Sequence, residues 1–283
     1  MKITLKAPAK INLYLEITEK RSDGYHNLES VMQTVSLYDE VTVEDAPAGI
    51  NLECDNKNLP SDSSNIVYKA AAAVKNRFNI EKGVKITLKK EIPMGAGLGG
   101  GSSDAAAAIK ALVKFWNIKT QKTELEKIAA KLGADVSFFL TGGTALCEGT
   151  GEIVTPLLNI RKMPVILANP GFSVPTHSVY KKVTFPLTKP RKIHTIKKLI
   201  CDGSFNENYA LKYCFNRLEE FVFPDYPEIA KIKSVMADLG CASLMSGSGA
   251  TVFGIFGSES QSETIKSKLR EYQWNVWTVF PVD

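Results

Sequence analysis

The feature that most limits how this chain can fold is the glycine-rich stretch Pro93-Met94-Gly95-Ala96-Gly97-Leu98-Gly99-Gly100-Gly101-Ser102-Ser103. Five glycines in seven residues weaken any regular element, so the stretch reads as a turn that uses positive φ or lets backbone approach something bound. Upstream, Val84, Ile86 and Leu88 alternate with polar residues and predict a strand. Downstream, an alanine-rich run from about 102 to 116 predicts a helix. The N-terminus of such a helix presents unpaired N–H groups and partial positive charge, which together make an anion site. Ser102 and Ser103 add hydroxyls at that point. The plainer alternative is a flexible loop with a serine cap.

Three phosphate motifs compete for the stretch. Gly95-x-Gly97-x-x-Gly100 formally matches the dinucleotide fingerprint. The preceding strand, however, is polar at Lys85, Thr87 and Lys89, where a central parallel strand is nearly all apolar. A second helix, over 123–132 and ended by Gly133, follows the first where the fingerprint needs a strand ending in an acid. A Walker A loop needs Gly-Lys followed by Ser or Thr, and no lysine lies between Glu91 and Ile109. The third motif is a kinase phosphate loop, and it depends on the rest of the chain.

At 283 residues the size prior is two domains, and 44% hydrophobic residues suffice for sizeable cores. The first 55 residues read as strands: Ile3 and Leu5, then Ile11, Leu13, Leu15 and Ile17 on one face, then 28–37, 40–45 and 50–54 after a turn at 21–27. A helix over 65–78 follows the capping candidates Asp62-Ser63-Ser64-Asn65. Segments 144–147 and 152–155 read as a short strand pair. Composition shifts near 158–163, marking a boundary. Beyond it come a strand at 164–168, several helices, strands at 242–245 and 251–256, a helix at 259–272 and a strand at 275–280. Without its extra helices this is the ferredoxin-like order β-α-β-β-α-β, which makes the chain a two-domain α+β protein.

A net charge of +5 suits phosphorylated small molecules and is too diffuse for nucleic acid. The most basic stretch holds Lys181, Lys182, Lys189, Arg191, Lys192, Lys197 and Lys198 without interleaved aromatics, and reads as a solvated helix face. Five scattered cysteines with no Cys-x-x-Cys pair suit reduced thiols rather than disulfides or zinc. No signal peptide and no run of about 18 apolar residues occur, so a cytoplasmic enzyme without membrane contact is expected.

The glycine stretch, together with Pro8-Ala9-Lys10-Ile11-Asn12-Leu13 and Met245-Ser246-Gly247-Ser248-Gly249-Ala250-Thr251-Val252-Phe253, resembles the three motifs of the galactokinase–homoserine kinase–mevalonate kinase–phosphomevalonate kinase (GHMP) superfamily, in the same order. Within it, Ala9-Lys10-Ile11-Asn12-Leu13, Arg21-x-Asp23-Gly24-Tyr25-His26, Gly133-Ala134-Asp135-Val136 and Pro170-Gly171-Phe172-x-Val174-x-Thr176 look like the 4-diphosphocytidyl-2-C-methyl-D-erythritol kinases. The resemblance covers nearly the whole chain. It implies a GHMP kinase fold, with a ribosomal-protein-S5-like domain over 1–158, a ferredoxin-like domain over 159–283 and the active site in the cleft between them.

The resemblance further implies ATP as phosphoryl donor with Mg²⁺, Asp135 as base toward the acceptor hydroxyl, and Lys10 as its electrostatic partner. Residues 93–103 would hold the ATP phosphates, with Asn65 and Lys90 as further ATP contacts; Asn65 serves equally as a helix cap. Tyr25 and His26 would meet the cytosine by stacking and hydrogen bonding, with Thr176 and Tyr180 as further substrate contacts and Asn12 either bonding the substrate or orienting Lys10. From spacing alone, Asp135 is also a helix-end turn residue, Lys10 a strand-edge lysine, Tyr180 a packing residue and Gly247-Ser248-Gly249 a simple hairpin turn. His177 and His194 receive no role, nor does Asp104, which varies in the family. Ser137 stands where a proline is common, a departure expected to alter loop stiffness only. No dedicated carboxylate for Mg²⁺ stands out, and a monomer or weak homodimer is expected. The alternatives are another GHMP acceptor (homoserine, mevalonate or a sugar) and a non-catalytic nucleotide-binding regulator.

Overall fold

The computed structural model describes residues 1–160, 163–187 and 193–283. Lys189, Arg191 and Lys192 of the basic stretch lie outside the described residues. The chain gathers into two compact units that interleave along the sequence instead of meeting at one point. The first comprises Met1–Ala9, Leu37–Pro93 and Gly99–Thr141; the second comprises Lys10–Ser36, Met94–Leu98 and Gly142–Asp283.

Two long strands, β1 (Lys2–Lys20) and β2 (His26–Ala46), run through both units. The shorter strands expected at 28–37 and 40–45 are therefore one strand. In the first unit β3 (Ile50–Cys54) pairs parallel with β4 (Gly83–Lys89), and β4 pairs antiparallel with the end of β2. Between them lies α1 (Ile66–Phe78), which buries Val67, Ala70, Ala71 and Val74 at helical spacing. After β4 and the glycine turn come α2 (Gly100–Phe115), α3 (Lys122–Leu132) and α4 (Ala134–Thr141). The alanines of α2, Ala105 to Ala108 and Ala111, are all buried. Ser137 falls inside α4, so the family's proline position bears on a helix and not on a loop.

The second unit begins with polar strand residues that are buried. Lys10, Asn12 and Glu16 stand at 4%, 0% and 1% exposure, while Ile11, Leu13, Leu15 and Ile17 on the alternate face are buried too. Alternation predicted one apolar face, and the opposite face proves to be covered as well. Buried polar side chains are the informative exception in a core. The start of β2 pairs with β5 (Thr144–Glu148), which forms an antiparallel pair with β6 (Ile153–Pro156).

The remaining elements are β7 (Val165–Asn169), α5 (Thr176–Lys181), α6 (His194–Cys201), α7 (Glu207–Tyr213), β8 (Phe215–Asn216), α8 (Glu219–Val222), α9 (Pro227–Asp238), β9 (Ala242–Met245), β10 (Val252–Ile255), α10 (Ser262–Arg270) and β11 (Asn275–Val279). Strand β8 pairs parallel with β1, Tyr14 opposite Phe215 and Leu15 opposite Asn216. The other four strands form an antiparallel sheet in the order β11-β7-β10-β9. That is the ferredoxin-like arrangement expected from the element order. Its core joins Ile166, Val252 and Val276 of the sheet to Ile229, Ile232 and Met236 of α9 and to Ile265 and Leu269 of α10.

Candidate active site

Within the second unit, four consecutive carbonyls of the glycine stretch accept protein hydrogen bonds. Gly95 O accepts from Val174 N at 3.2 Å, Ala96 O from Thr251 N at 3.1 Å and Leu98 O from Lys10 N at 3.0 Å. Gly97 O accepts from Ser246 Oγ at 2.9 Å. Gly97 has φ +75°, and a methyl group there would stand 2.0 Å from Ser246 O. Only glycine fits that combination of dihedral and close approach. In the first unit, α2 starts at Gly100, and Ser103 Oγ is buried with no hydrogen-bond partner among the described residues.

Lys10 lies on β1, where its Nζ donates to Asn12 Oδ1 at 2.5 Å. Asn12 Nδ2 donates to Ser30 Oγ at 2.8 Å, and Ser30 Oγ donates to Tyr14 O at 2.7 Å. The lysine is thus held by a buried polar chain and is not a strand-edge residue. The turn at 246–249 lies alongside: a methyl group on Gly247, which has φ +54°, would stand 3.1 Å from Lys10 Nζ. Ser248 Oγ of the same turn is hydrogen-bonded to Thr176 Oγ1 at 2.9 Å.

His26 opens β2 at 7% exposure. Its ring stacks on Phe185 (centroids 6.1 Å apart, planes 11° apart) and meets Tyr180 at 5.8 Å. Nε2 is buried and has no hydrogen-bond partner among the described residues. Burial, aided by the charge of Lys20, lowers the imidazole pKa, so the ring is neutral at neutral pH. Tyr25 beside it is 67% exposed, its N–H bonded to Asp23 Oδ1. Phe185 escaped the sequence reading because a lone aromatic in a loop before a proline carries no periodic signal.

In the first unit, Asp135 sits in the first turn of α4, where the positive end of the helix favours a carboxylate. Asn65 is the N-cap of α1: Oδ1 accepts from Val67 N at 2.8 Å and Nδ2 donates to Pro60 O at 2.7 Å. Lys90 lies buried between Asp39 and Asp104, its Nζ 2.5 Å from Asp104 Oδ2. Asp39 also accepts from Glu91 N at 2.6 Å and Ile92 N at 2.9 Å, so it holds the backbone that leads into Pro93. Neither Asp39 nor Asp104 carries this role in the sequence, since pairings 51 and 14 residues apart leave no local trace.

The models of the GHMP kinase N-terminal and C-terminal domains match residues 65–143 and 196–273. The chain belongs to the GHMP kinases. It is 42% identical over 269 residues to a 4-diphosphocytidyl-2-C-methyl-D-erythritol kinase of Clostridium botulinum (strain Alaska E43 / Type E3), covering 94% of this chain and 95% of that one. It is 40% identical to the protein of the same name from Shouchella clausii (strain KSM-K16), covering 99% and 94%. A crystal structure of 4-(cytidine 5'-diphospho)-2C-methyl-D-erythritol kinase superposes with a TM-score of 0.84 at 33% identity, covering 99% of this chain and all of that one. This GHMP kinase is therefore an ATP-dependent small-molecule phosphotransferase. Among the described residues no helix is long and apolar enough to cross a membrane.

Proposed function

We propose that this kinase transfers the γ-phosphate of ATP to the 2-hydroxyl of 4-diphosphocytidyl-2-C-methyl-D-erythritol, in the non-mevalonate route to isoprenoid precursors. The observation that carries the substrate choice is His26: a neutral ring against Phe185 and Tyr180, with a buried Nε2 that has no partner among the described residues. A cytosine offers both donors and acceptors on its edge and a face for stacking, so it serves either imidazole tautomer. A small aliphatic acceptor such as homoserine or mevalonate has hydrogen-bonding groups but no face to stack. The names carried by relatives at about 40% identity support the same reading.

In the reaction the acceptor oxygen forms a bond to the γ-phosphorus, the bond to the β–γ bridging oxygen breaks, and ADP leaves. Asp135 takes the hydroxyl proton, and Lys10 stabilises charge on the alkoxide and the moving phosphoryl group. The carbonyls of Gly95 to Leu98 are all engaged by protein donors, which supports a role for the loop's N–H groups toward the ATP phosphates. For Mg²⁺, no group of three His, Cys, Asp or Glu side chains occurs among the described residues. Mg²⁺ bound with ATP needs few protein ligands besides phosphates and water. The Ser103 hydroxyl, which has no partner among the described residues, fits that need together with Ser102. The ion would neutralise charge on adjacent phosphates.

ATP turnover with the cytidylyl substrate tests the assignment. In that assay Asp135→Asn keeps ATP affinity and lowers kcat by roughly 10²–10⁴, the worth of a positioned base. An unchanged kcat removes Asp135 from the chemistry. His26→Ala raises KM for the cytidylyl substrate about tenfold and leaves KM for ATP alone. Equal effects on both would sink the cytosine contact.

A further inference from the structure

Asn216, on the two-residue strand β8, has no part in the chemistry derived above, yet it is 1% exposed and its amide is fully engaged. Nδ2 donates to Met245 O and to Gly247 O, both at 2.7 Å. Oδ1 accepts from Leu218 N at 2.9 Å. Two donated bonds and one accepted bond decide which end of the amide is which. The strand is itself anchored to β1. Arg217 N donates to Leu15 O at 2.8 Å, while its Nε and Nη2 donate to the two oxygens of buried Glu16 at 2.7 and 2.8 Å.

The two carbonyls that Asn216 grips bracket Ser246. That serine donates to Gly97 O in the glycine stretch, Gly247 lies against Lys10, and Ser248 is bonded to Thr176. One side-chain amide therefore sets a turn that touches three parts of the site. We infer that Asn216 is a positioning residue for phosphoryl transfer, holding the 246–249 turn so that the glycine stretch keeps its ATP-binding shape. The inference rests on reading residues 93–103 as the ATP phosphate loop.

Asn216→Asp is the sharpest test, because the shape is kept and both donors are lost. The ionised carboxylate would face the Met245 and Gly247 carbonyls. The charged groups around it are Arg217 with Glu16 and Glu220, Glu219 bonded to Met245 N and paired with Lys233, and Lys10 beside Gly247. At neutral pH, kcat/KM for ATP falls about ten- to hundredfold, the worth of one or two buried hydrogen bonds. Protonation restores a donor, so the ratio of variant to wild-type activity rises as pH falls through that carboxyl's pKa. A structural role alone would lower stability and leave the ratio flat.

A flat ratio, or kcat/KM for ATP within twofold of wild type in the folded variant, overturns the inference. Should that variant not fold, Asn216→Ser and Ser246→Ala carry the test: both raise KM for ATP, and an unchanged KM in both overturns it. Calorimetric ATP binding by the wild-type protein separates the two readings. With ATP bound and the variants unaffected, only the role of Asn216 falls. Without ATP binding, the phosphate-loop reading falls and takes this inference with it.

Discussion

Each compact unit buries a cation between two carboxylates, and the two clusters handle the surplus negative charge differently. In the second unit Arg217 spans Glu16 with a two-pronged bond and reaches Glu220 with Nη1 at 2.5 Å. The Glu220 side chain is 46% exposed, so water carries the surplus charge. In the first unit Lys90 sits between Asp39 and Asp104, and the three side chains are only 5%, 0% and 2% exposed. There the surplus has no route to solvent. Burial pushes the Asp104 carboxyl up, Lys90 pulls it back and Asp39 pushes it up again, leaving it at about 7. Burial alone would lower the Lys90 amine, but Asp104 and Asp39 together keep it raised. The count of charges is the same; what differs is whether the third partner reaches solvent. The cations suit their places too, since a guanidinium matches a carboxylate edge to edge and an ammonium is a point charge.

The largest effect should come from removing the cation that has no substitute. Lys90→Met leaves two buried carboxylates facing each other and costs about 3–5 kcal/mol in urea unfolding at neutral pH. Glu16→Gln leaves Arg217 an accepting oxygen and the exposed Glu220, and costs about 1–3 kcal/mol. Equal losses would erase the distinction between the clusters.

A smaller effect is the pH dependence of the first cluster. With its folded pKa raised from 3.8 to about 7, Asp104 keeps a proton that the unfolded chain releases. Its contribution is fully present below about pH 4 and is lost as pH rises through about 7. Asp104→Asn should therefore flatten the decline of Tm between those values. Superimposable Tm–pH curves for variant and wild type would contradict the buried-surplus account. The smallest effect is Glu220→Gln, below about 1 kcal/mol, because its charge is screened. A larger loss in unfolding experiments would make the two clusters alike.

Much of the architecture was legible along the chain. Asp62-Ser63-Ser64-Asn65 before an alanine run predicted a cap, and Asn65 Oδ1 does accept from Val67 N. The β-α-β-β-α-β order was read from alternation and turn residues alone, and the sheet order β11-β7-β10-β9 agrees with it. The helix α4 was not read, because Gly133 looked like the end of the helical region when it is only the junction between α3 and α4. The division near residue 158 rested on composition, which does not register that β1 and β2 each thread both units. The candidate site was legible in part. Lys10 and Asn12 were singled out together and are bonded to each other, and His26 and Tyr180 do meet. Phe185, Asn216 and Asp39 were invisible.

By itself the sequence determined the local features: a glycine turn between strand and helix, a cap, two periodicities and the family motifs. Each arises within a few residues, from dihedral freedom, neighbouring hydrogen bonds or alternation of side chains. Only the tertiary structure decided which polar residues of β1 are buried, that Asp104 shares Lys90 with Asp39, and that Ser246 reaches Gly97. Those pairings join residues as much as 149 and 201 positions apart, as between Gly97 and Ser246 and between Glu16 and Arg217. Partners over such distances are chosen by packing and by the cost of burying an unpaired polar group, and neither leaves a periodic mark along the chain.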